Sequence, residues 1–246
     1  MKILLSNDDG YHASGIQALI IELEKKHDIY VAAPAINCSA GSSALSVRKD
    51  IKIDNIKENH YVIDGTPADC VHIALTCLIK DDIDIVVSGI NIGANLGDDV
   101  IYSGTVAAAL EGRHLEMSPI AISLTSQENI DINQAAIISA ELIENIIANK
   151  KISKNTLLNI NIPDSPVKTD LVVAETFEYT RLGKRGLPLS ATKLKNKDLY
   201  KIGAAGVPVD CGPGTDFFAV NKGMISITPV LYDLTDKDIL DKIKII

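Results

Sequence analysis

Asp8 and Asp9 stand side by side in Ser6-Asn7-Asp8-Asp9-Gly10, directly after the short apolar run Ile3-Leu4-Leu5. Adjacent carboxylates repel unless something neutralises them, and a hard divalent cation held by oxygen ligands does so. Asn, Asp and Gly are also turn formers, so the same residues read as a solvated turn. A second cluster, Ser88-Gly89-Ile90-Asn91-Ile92-Gly93-Ala94-Asn95-Leu96-Gly97-Asp98-Asp99, follows the apolar Ile85-Val86-Val87. Its glycines let backbone approach a ligand closely, and Asn91 and Asn95 offer carbonyl ligands or amide donors. Tyr102-Ser103-Gly104-Thr105 comes next, at the start of an Ala-rich stretch. Free N–H groups and hydroxyls at a helix start suit a phosphate. A plain N-cap explains Ser103 or Thr105 alone, but not the long Gly/Asn run before them. A third segment, Asn37 to Ser43, follows Pro34 and by itself reads as a flexible linker.

Other polar groups are less pointed. His12 alone of the five histidines lies near these segments, as a general acid, a substrate contact or an ordinary loop residue. Arg181, Lys184 and Arg185 form a small basic cluster, either solvated or reaching over a cleft to meet phosphate. Asp98-Asp99 reads as loop charge or structural hydrogen bonding before it reads as a second metal site.

These segments need elements to position them. Ile16, Leu19, Ile20 and Leu23 fall on one helical face. Ile29 to Ala33 reads as a strand closed by Pro34. Thr66-Pro67-Ala68-Asp69 has the signature of a helix start: a Thr cap, Pro at the first position and Asp three residues after the cap. Ile85-Val86-Val87, Ile120-Ala121-Ile122 and Leu157 to Ile162 read as buried strands, Gln134 to Ala148 as an amphipathic helix, and a further helix begins near Thr105. Alternating strands and helices with continuous apolar strands imply an α/β, doubly wound, mostly parallel sheet of Rossmann-like type. In such a sheet the three polar loops open on one edge, where ligands bind. The rhythm breaks near Asp164. Residues 180–202 are polar and basic, 204–214 are rich in Gly and Pro, Ile225 to Thr228 returns as a strand, and the tail from Thr235 reads as a short helix. The expectation is one domain over 1–246, with a core over 1–163 and a C-terminal β-hairpin and helix extension over 164–246. Neither G-x-x-x-x-G-K-[ST] nor a G-x-G-x-x-G after the first strand is present.

Composition limits the partners. The 246 residues carry 24 Lys+Arg and 32 Asp+Glu, a net charge of −8, which counts against a nucleic acid polymer gripped by a basic face. No apolar run approaches the roughly 18 residues of a membrane span. Asn7-Asp8-Asp9 interrupts what would otherwise resemble a signal peptide, so a cytoplasmic location is expected. Cys38, Cys70, Cys77 and Cys211 contain no C-x-x-C pair and read as free thiols.

Taken together, the motifs resemble the SurE family of stationary-phase survival proteins, which act as metal-dependent nucleoside monophosphate phosphatases. The matching stretches are Ile3 to Gly10, Gly65-Thr66-Pro67-Ala68-Asp69-Cys70-Val71, Ser88 to Gly112, Leu158 to Pro163 and Ser226-Ile227-Thr228-Pro229. They lie in order and span nearly the whole chain. The resemblance implies a 5'-nucleotidase, with 3'-nucleotidase and exopolyphosphatase activity as further options. It implies one divalent metal cation per subunit, Mg, Mn or similar, held by Asp8, Asp9, Ser39 and Asn91. Asp8 and Asp9 are then the catalytic carboxylates, and Asn95, Ser103, Gly104 and Thr105 bind the substrate's phosphate. It also implies a homodimer or homotetramer built through the extension. The Ser39 loop departs from the family pattern at Ala35, Ile36 and Cys38. Two alternatives stand beside this: a nucleotide-binding sensor without catalysis, and an aspartyl-phosphate phosphatase. The latter usually has D-x-D after the first strand, a spacing that Asp8-Asp9 lacks.

Overall fold

The computed structural model describes residues 1–125, 131–149, 156–163, 176–195 and 198–240. The chain runs β1 (Lys2–Ser6), α1 (Ser14–Leu23), β2 (Asp28–Pro34), β3 (Ile53–Lys57), β4 (His60–Ile63), α2 (Pro67–Ile73), β5 (Ile85–Ile92), α3 (Gly104–Leu110), β6 (Ile120–Leu124), α4 (Ile132–Ala148) and β7 (Thr156–Ile162). Short elements follow: β8 (Phe177–Tyr179), β9 (Lys184–Arg185), β10 (Thr192–Lys193), β11 (Tyr200–Lys201), β12 (Pro208–Asp210), α5 (Asp216–Asn221), β13 (Ile225–Leu231) and α6 (Lys237–Leu240).

Nine strands form one sheet in the order β3-β4-β2-β1-β5-β6-β7-β13-β8. The central pairs β4–β2, β2–β1, β1–β5, β5–β6 and β6–β7 are all parallel. From β1 the chain winds outward first through β2 and then, after returning, through β5, so the crevice between β1 and β5 is the topological switch point where such sheets bind ligands. Helices cover both faces. Ile16, Leu19 and Leu23 of α1 pack with Ile138, Leu142 and Ile143 of α4 against Ile3, Leu5 and Val87. Cys70 and Val71 of α2 and Ala108 of α3 pack on the other face against Leu4, Ala32 and Val86. The doubly wound α/β sheet expected from the sequence is the observed fold.

Two differences bear on the site. β5 does not end at Val87 but continues to Ile92 through a register shift between Ser88 and Asn91. Gly89 makes this possible: its φ is +140°, and a Cβ there would lie 2.4 Å from the Ile122 carbonyl. The hairpin β3–β4 went unread because β3 is exposed along its length and shows no apolar alternation. The strand read at Ile225 to Thr228 is β13, and it joins the core sheet, pairing antiparallel with β7 and parallel with β8. The expected break at 164 falls outside the described residues. Between β9 and β12 the chain forms a hairpin arm, with β10 and β11 pairing at its outer part. No described helix is long and apolar enough to cross a membrane.

Candidate active site

Asp8 and Asp9 occupy the loop leaving β1, where Asn7 folds back to bond Gly10 through both its amide nitrogen and its carbonyl oxygen. Asp8 is buried, and its Oδ1 accepts a 2.6 Å hydrogen bond from the Thr105 hydroxyl of α3. Gly104 sits so close that a Cβ there would lie 2.8 Å from the Asp8 Cβ. The helix start and the carboxylate are therefore built against each other. Burial pushes the Asp8 carboxyl above its ordinary range; the Thr105 hydrogen bond opposes this, and the neighbouring Asp9 charge adds to the upward push. Asp9 accepts from the Asn37 amide at 2.9 Å and from the Ile92 backbone N–H at 3.3 Å. Ile92 adjoins Asn91, so β5 brings its amide side chain to the same loop. The Asn91 nitrogen donates to the Gly93 carbonyl at 2.7 Å, which leaves its Oδ1 uncommitted among the described residues.

Ser39 comes from the opposite lip. It is exposed, and its hydroxyl and backbone N–H both donate to Asn37 Oδ1, at 2.7 and 2.9 Å. Asn37 thus bridges Ser39 to Asp9. The Cys38 backbone N–H donates to the Asp8 carbonyl at 2.7 Å, tying this lip to the first. The start of α2 anchors the rest of the loop. Thr66 and Asp69 form the expected capping box, and Asp69 Oδ1 also accepts from the Ser46 N–H while the Thr66 hydroxyl donates to the Ala44 carbonyl. Burial pushes the Asp69 carboxyl up, yet the bonds from Ser46 and Thr66 outweigh it and hold it below the ordinary range.

Asn95 is held by β7. The Asn159 and Asn161 amides donate to its carbonyl at 2.8 and 2.9 Å, and Asn161 Oδ1 accepts its N–H at 2.9 Å. Its own amide donates to Ser123 Oγ at 2.7 Å and lies 3.4 Å from Thr105 Oγ1. Ser103 caps α3, accepting the Val106 N–H at 3.1 Å. Asp8, Asn95, Gly104 and Thr105 therefore form one connected group, Asp9 is bonded to the Ile92 backbone beside Asn91, and among the described residues the Ser39 hydroxyl is linked to Asp9 through Asn37.

The donor set suits a hard divalent cation. Two adjacent carboxylates, one of them buried, have no Lys, Arg or His partner among the described residues. An amide oxygen and a hydroxyl stand nearby, all oxygen donors. No three His, Cys, Asp or Glu side chains converge on a site among the described residues, so such a cation would hold few protein carboxylates and keep water in its shell.

Comparison with known proteins places the chain in a family. The family model described as "Survival protein SurE" matches residues 3–189. The chain belongs to the SurE family. It is 47% identical over 246 residues to the 5'-nucleotidase SurE of Ruthia magnifica subsp. Calyptogena magnifica, covering 99% of this chain and 97% of that protein. The 5'-nucleotidase SurE of Legionella pneumophila strain Corby is 43% identical over 244 residues, covering 98% and 95%. The crystal structure of the SurE protein from Aquifex aeolicus superposes with a TM-score of 0.83 at 37% identity, covering 99% of this chain and 98% of that one.

Several residues of this candidate site were not singled out from sequence. Asn37 looked like linker, yet it is the bridge between Asp9 and Ser39. Asn159 and Asn161 were read only as part of a matching strand. Two asparagines two residues apart inside an otherwise apolar strand are the signal that could have found them, because period-two polar positions share a face. Ser6 and Ser88 are register partners on β1 and β5, both fully buried with hydroxyls that no described residue bonds. The two arginines of the basic cluster are committed elsewhere, while Lys184 is exposed on β9. Arg181 pairs with Asp210, and Arg185 pairs with Asp99 and stacks over Phe217, with its backbone N–H on Asp98. Asp98-Asp99 thus fastens the arm's base to the loop before α3. His12 is exposed, its ring edge-on to Tyr11.

Proposed function

We propose that this chain is a metal-dependent phosphomonoesterase that hydrolyses nucleoside monophosphates to nucleoside and phosphate, as a 5'-nucleotidase. The observation that carries this is the buried Asp8 beside Asp9, without a cationic partner among the described residues, packed directly on the start of α3. Membership of the SurE family and relatives named 5'-nucleotidase support it. One divalent cation, Mg, Mn or similar, would be held by Asp8, Asp9, Ser39 and Asn91. When bound, such a cation polarises a phosphoryl oxygen and lowers the pKa of a water.

The protein groups do the rest. Thr105 keeps its hydroxyl proton on Asp8 Oδ1 and so fixes that carboxylate in one orientation. Asp9 is fixed on two sides by Asn37 and Ile92, and one of the two carboxylates orients the attacking water. Asn95, locked by Asn159 and Asn161, lines the phosphate side with Ser103, Gly104 and Thr105, where donors meet charge growing on the phosphoryl oxygens. Residues 1–246 act as one catalytic unit. The extension over 164–246 is read as the surface that builds a homodimer or homotetramer, a reading supported by Leu187 and Ile202, 92% and 88% exposed on the arm. Unpaired thiols at all four cysteines favour the cytoplasm.

The test is phosphate release from a panel of nucleoside 5'- and 3'-monophosphates with Mg²⁺ or Mn²⁺. Release that stops with a chelator and in Asp9→Asn is the expected result. Binding without release under any metal would make the chain a sensor, and a trapped phosphoenzyme would make one carboxylate a nucleophile.

A further inference from the structure

Cys38 also lines a cleft of about 190 Å³ whose wall does not include Asp8 or Asp9. Ile63, fully buried at the end of β4, is part of its wall. Ala35 is laid against that strand by its N–H bond to the Ile63 carbonyl at 2.9 Å. Ile36 stands at the rim, 69% exposed. A large aliphatic side chain left in water beside a polar site is a surface that a ligand can cover. Lys49 and Asp64 are also among the lining residues, with the Lys49 ammonium 3.4 Å from Asp64 Oδ2 and 3.3 Å from the Asp64 carbonyl.

Resting on the nucleotidase reading, we propose that this cleft receives the nucleobase of the substrate while the phosphate lies at Asp8 and Asp9. Position supports this. Cys38 donates its N–H to the Asp8 carbonyl on one side and places its thiol 3.8 Å from the Gly65 carbonyl on the other. One residue therefore separates the carboxylate loop from the cleft, and a sugar bridging the two passes over Cys38 and Ser39. Size supports it as well. Whole drug-sized ligands occupy roughly 300–1,000 Å³, so this smaller cleft takes one planar ring system and not an entire nucleotide. Chemistry names the class. Aliphatic walls accept a flat apolar face, and a donor beside an acceptor at the rim complements the hydrogen-bonding edge of any base, each of which presents an adjacent acceptor and N–H. The lining has no aromatic ring to stack on, so discrimination among bases is weak.

The experiment compares a nucleoside 5'-monophosphate with ribose 5-phosphate, which lacks the base, in the unmodified chain, Ala35→Leu and Ile36→Ser. Ala35→Leu fills the cleft, and the ratio of kcat/KM for nucleotide over ribose 5-phosphate is expected to fall about tenfold, through KM for the nucleotide. Ile36→Ser, at an exposed position that folding does not need, is expected to lower the same ratio about threefold. A ratio that neither variant changes overturns the proposal, as does an unmodified chain that does not distinguish the two substrates. Titration with the nucleoside alone, followed by calorimetry, separates the two readings. Nucleoside binding weakened by both variants in a chain that releases no phosphate sustains the cleft and sinks the nucleotidase. Hydrolysis with an unmoved ratio sustains the nucleotidase and sinks the cleft.

Discussion

Asp8 and Ser39 belong to two loops that meet at the candidate site, two lips joined by the Cys38 N–H on the Asp8 carbonyl, and they are held in different ways. On the first lip the carboxylate is buried, bonded to Thr105, and packed on Gly104 with no room for one more carbon. On the second, Ser39 is exposed and its hydroxyl reaches the carboxylates, among the described residues, through the Asn37 side chain. The first lip belongs to the sheet, because β1 and β5 are neighbours there and α3 is packed against both. The second is a loop held at a few points, by Cys38 to the Asp8 carbonyl, by the Ser42 hydroxyl to the Ile101 carbonyl, and by Ala44 and Ser46 to Thr66 and Asp69. Preorganisation is thus concentrated where charge is buried. The lip that must admit substrate keeps few bonds, and each is replaceable by water at small cost.

Substitutions can break that contrast. Asp9→Asn is expected to lower metal-dependent phosphate release by on the order of 10²-fold or more, since losing even an outer partner of a metal ligand costs about 10–100-fold. The assay is steady-state phosphate release against metal concentration, and an unchanged rate would remove Asp9 from the site. Gly104→Ala puts a methyl group into Asp8 and is expected to cost about 1–3 kcal/mol of stability by overpacking, together with activity. Denaturant unfolding reads the first quantity; a neutral result would mean that the first lip yields.

His60 offers a pH handle on the buried side, where it bonds the Tyr11 hydroxyl at 3.0 Å just beyond the carboxylate loop. Burial, with Lys57 nearby and only Glu24 opposing, lowers its pKa from 6.5 to about 4. The unfolded chain takes up this proton near pH 6.5 and the folded chain does not, so stability falls as pH drops from about 6.5 to 4. His60→Gln is expected to flatten that limb by at most about 3 kcal/mol in unfolding measured across the window. The smallest effect belongs to the second lip. Asn37→Ala removes the bridge to Ser39 yet is expected to raise the metal concentration for half-activity only about threefold, with stability changed by less than ~1 kcal/mol. A loss as large as that of Asp9→Asn would show the two lips to be equally rigid.

Much of the first lip was legible in the linear chain. Asp8-Asp9 after an apolar run, and Ser103 before an Ala-rich helix, are local patterns with local causes: charge repulsion and capping. The Thr66 capping box was legible for the same reason. Asn37, Asn159 and Asn161 were not. Their value lies in partners 28, 64 and 66 residues distant, to Asp9 and Asn95; the period-two spacing of Asn159 and Asn161 marks a shared polar face but not what it meets, and Asn37 carries no local mark at all. The exposed β3 and the return of β13 to the core sheet were also invisible, because pairing is a property of two strands.

By itself the sequence determined the layered sheet, the family and the oxygen donors, since periodicity, capping and adjacent charge act over a few residues. The tertiary structure decided which of those donors are buried and which stay in water. It also routed Thr105 to Asp8 and diverted Arg185 to Asp99. Desolvation and long-range hydrogen bonding depend on what the completed fold places alongside each group, and no window of the chain contains that information.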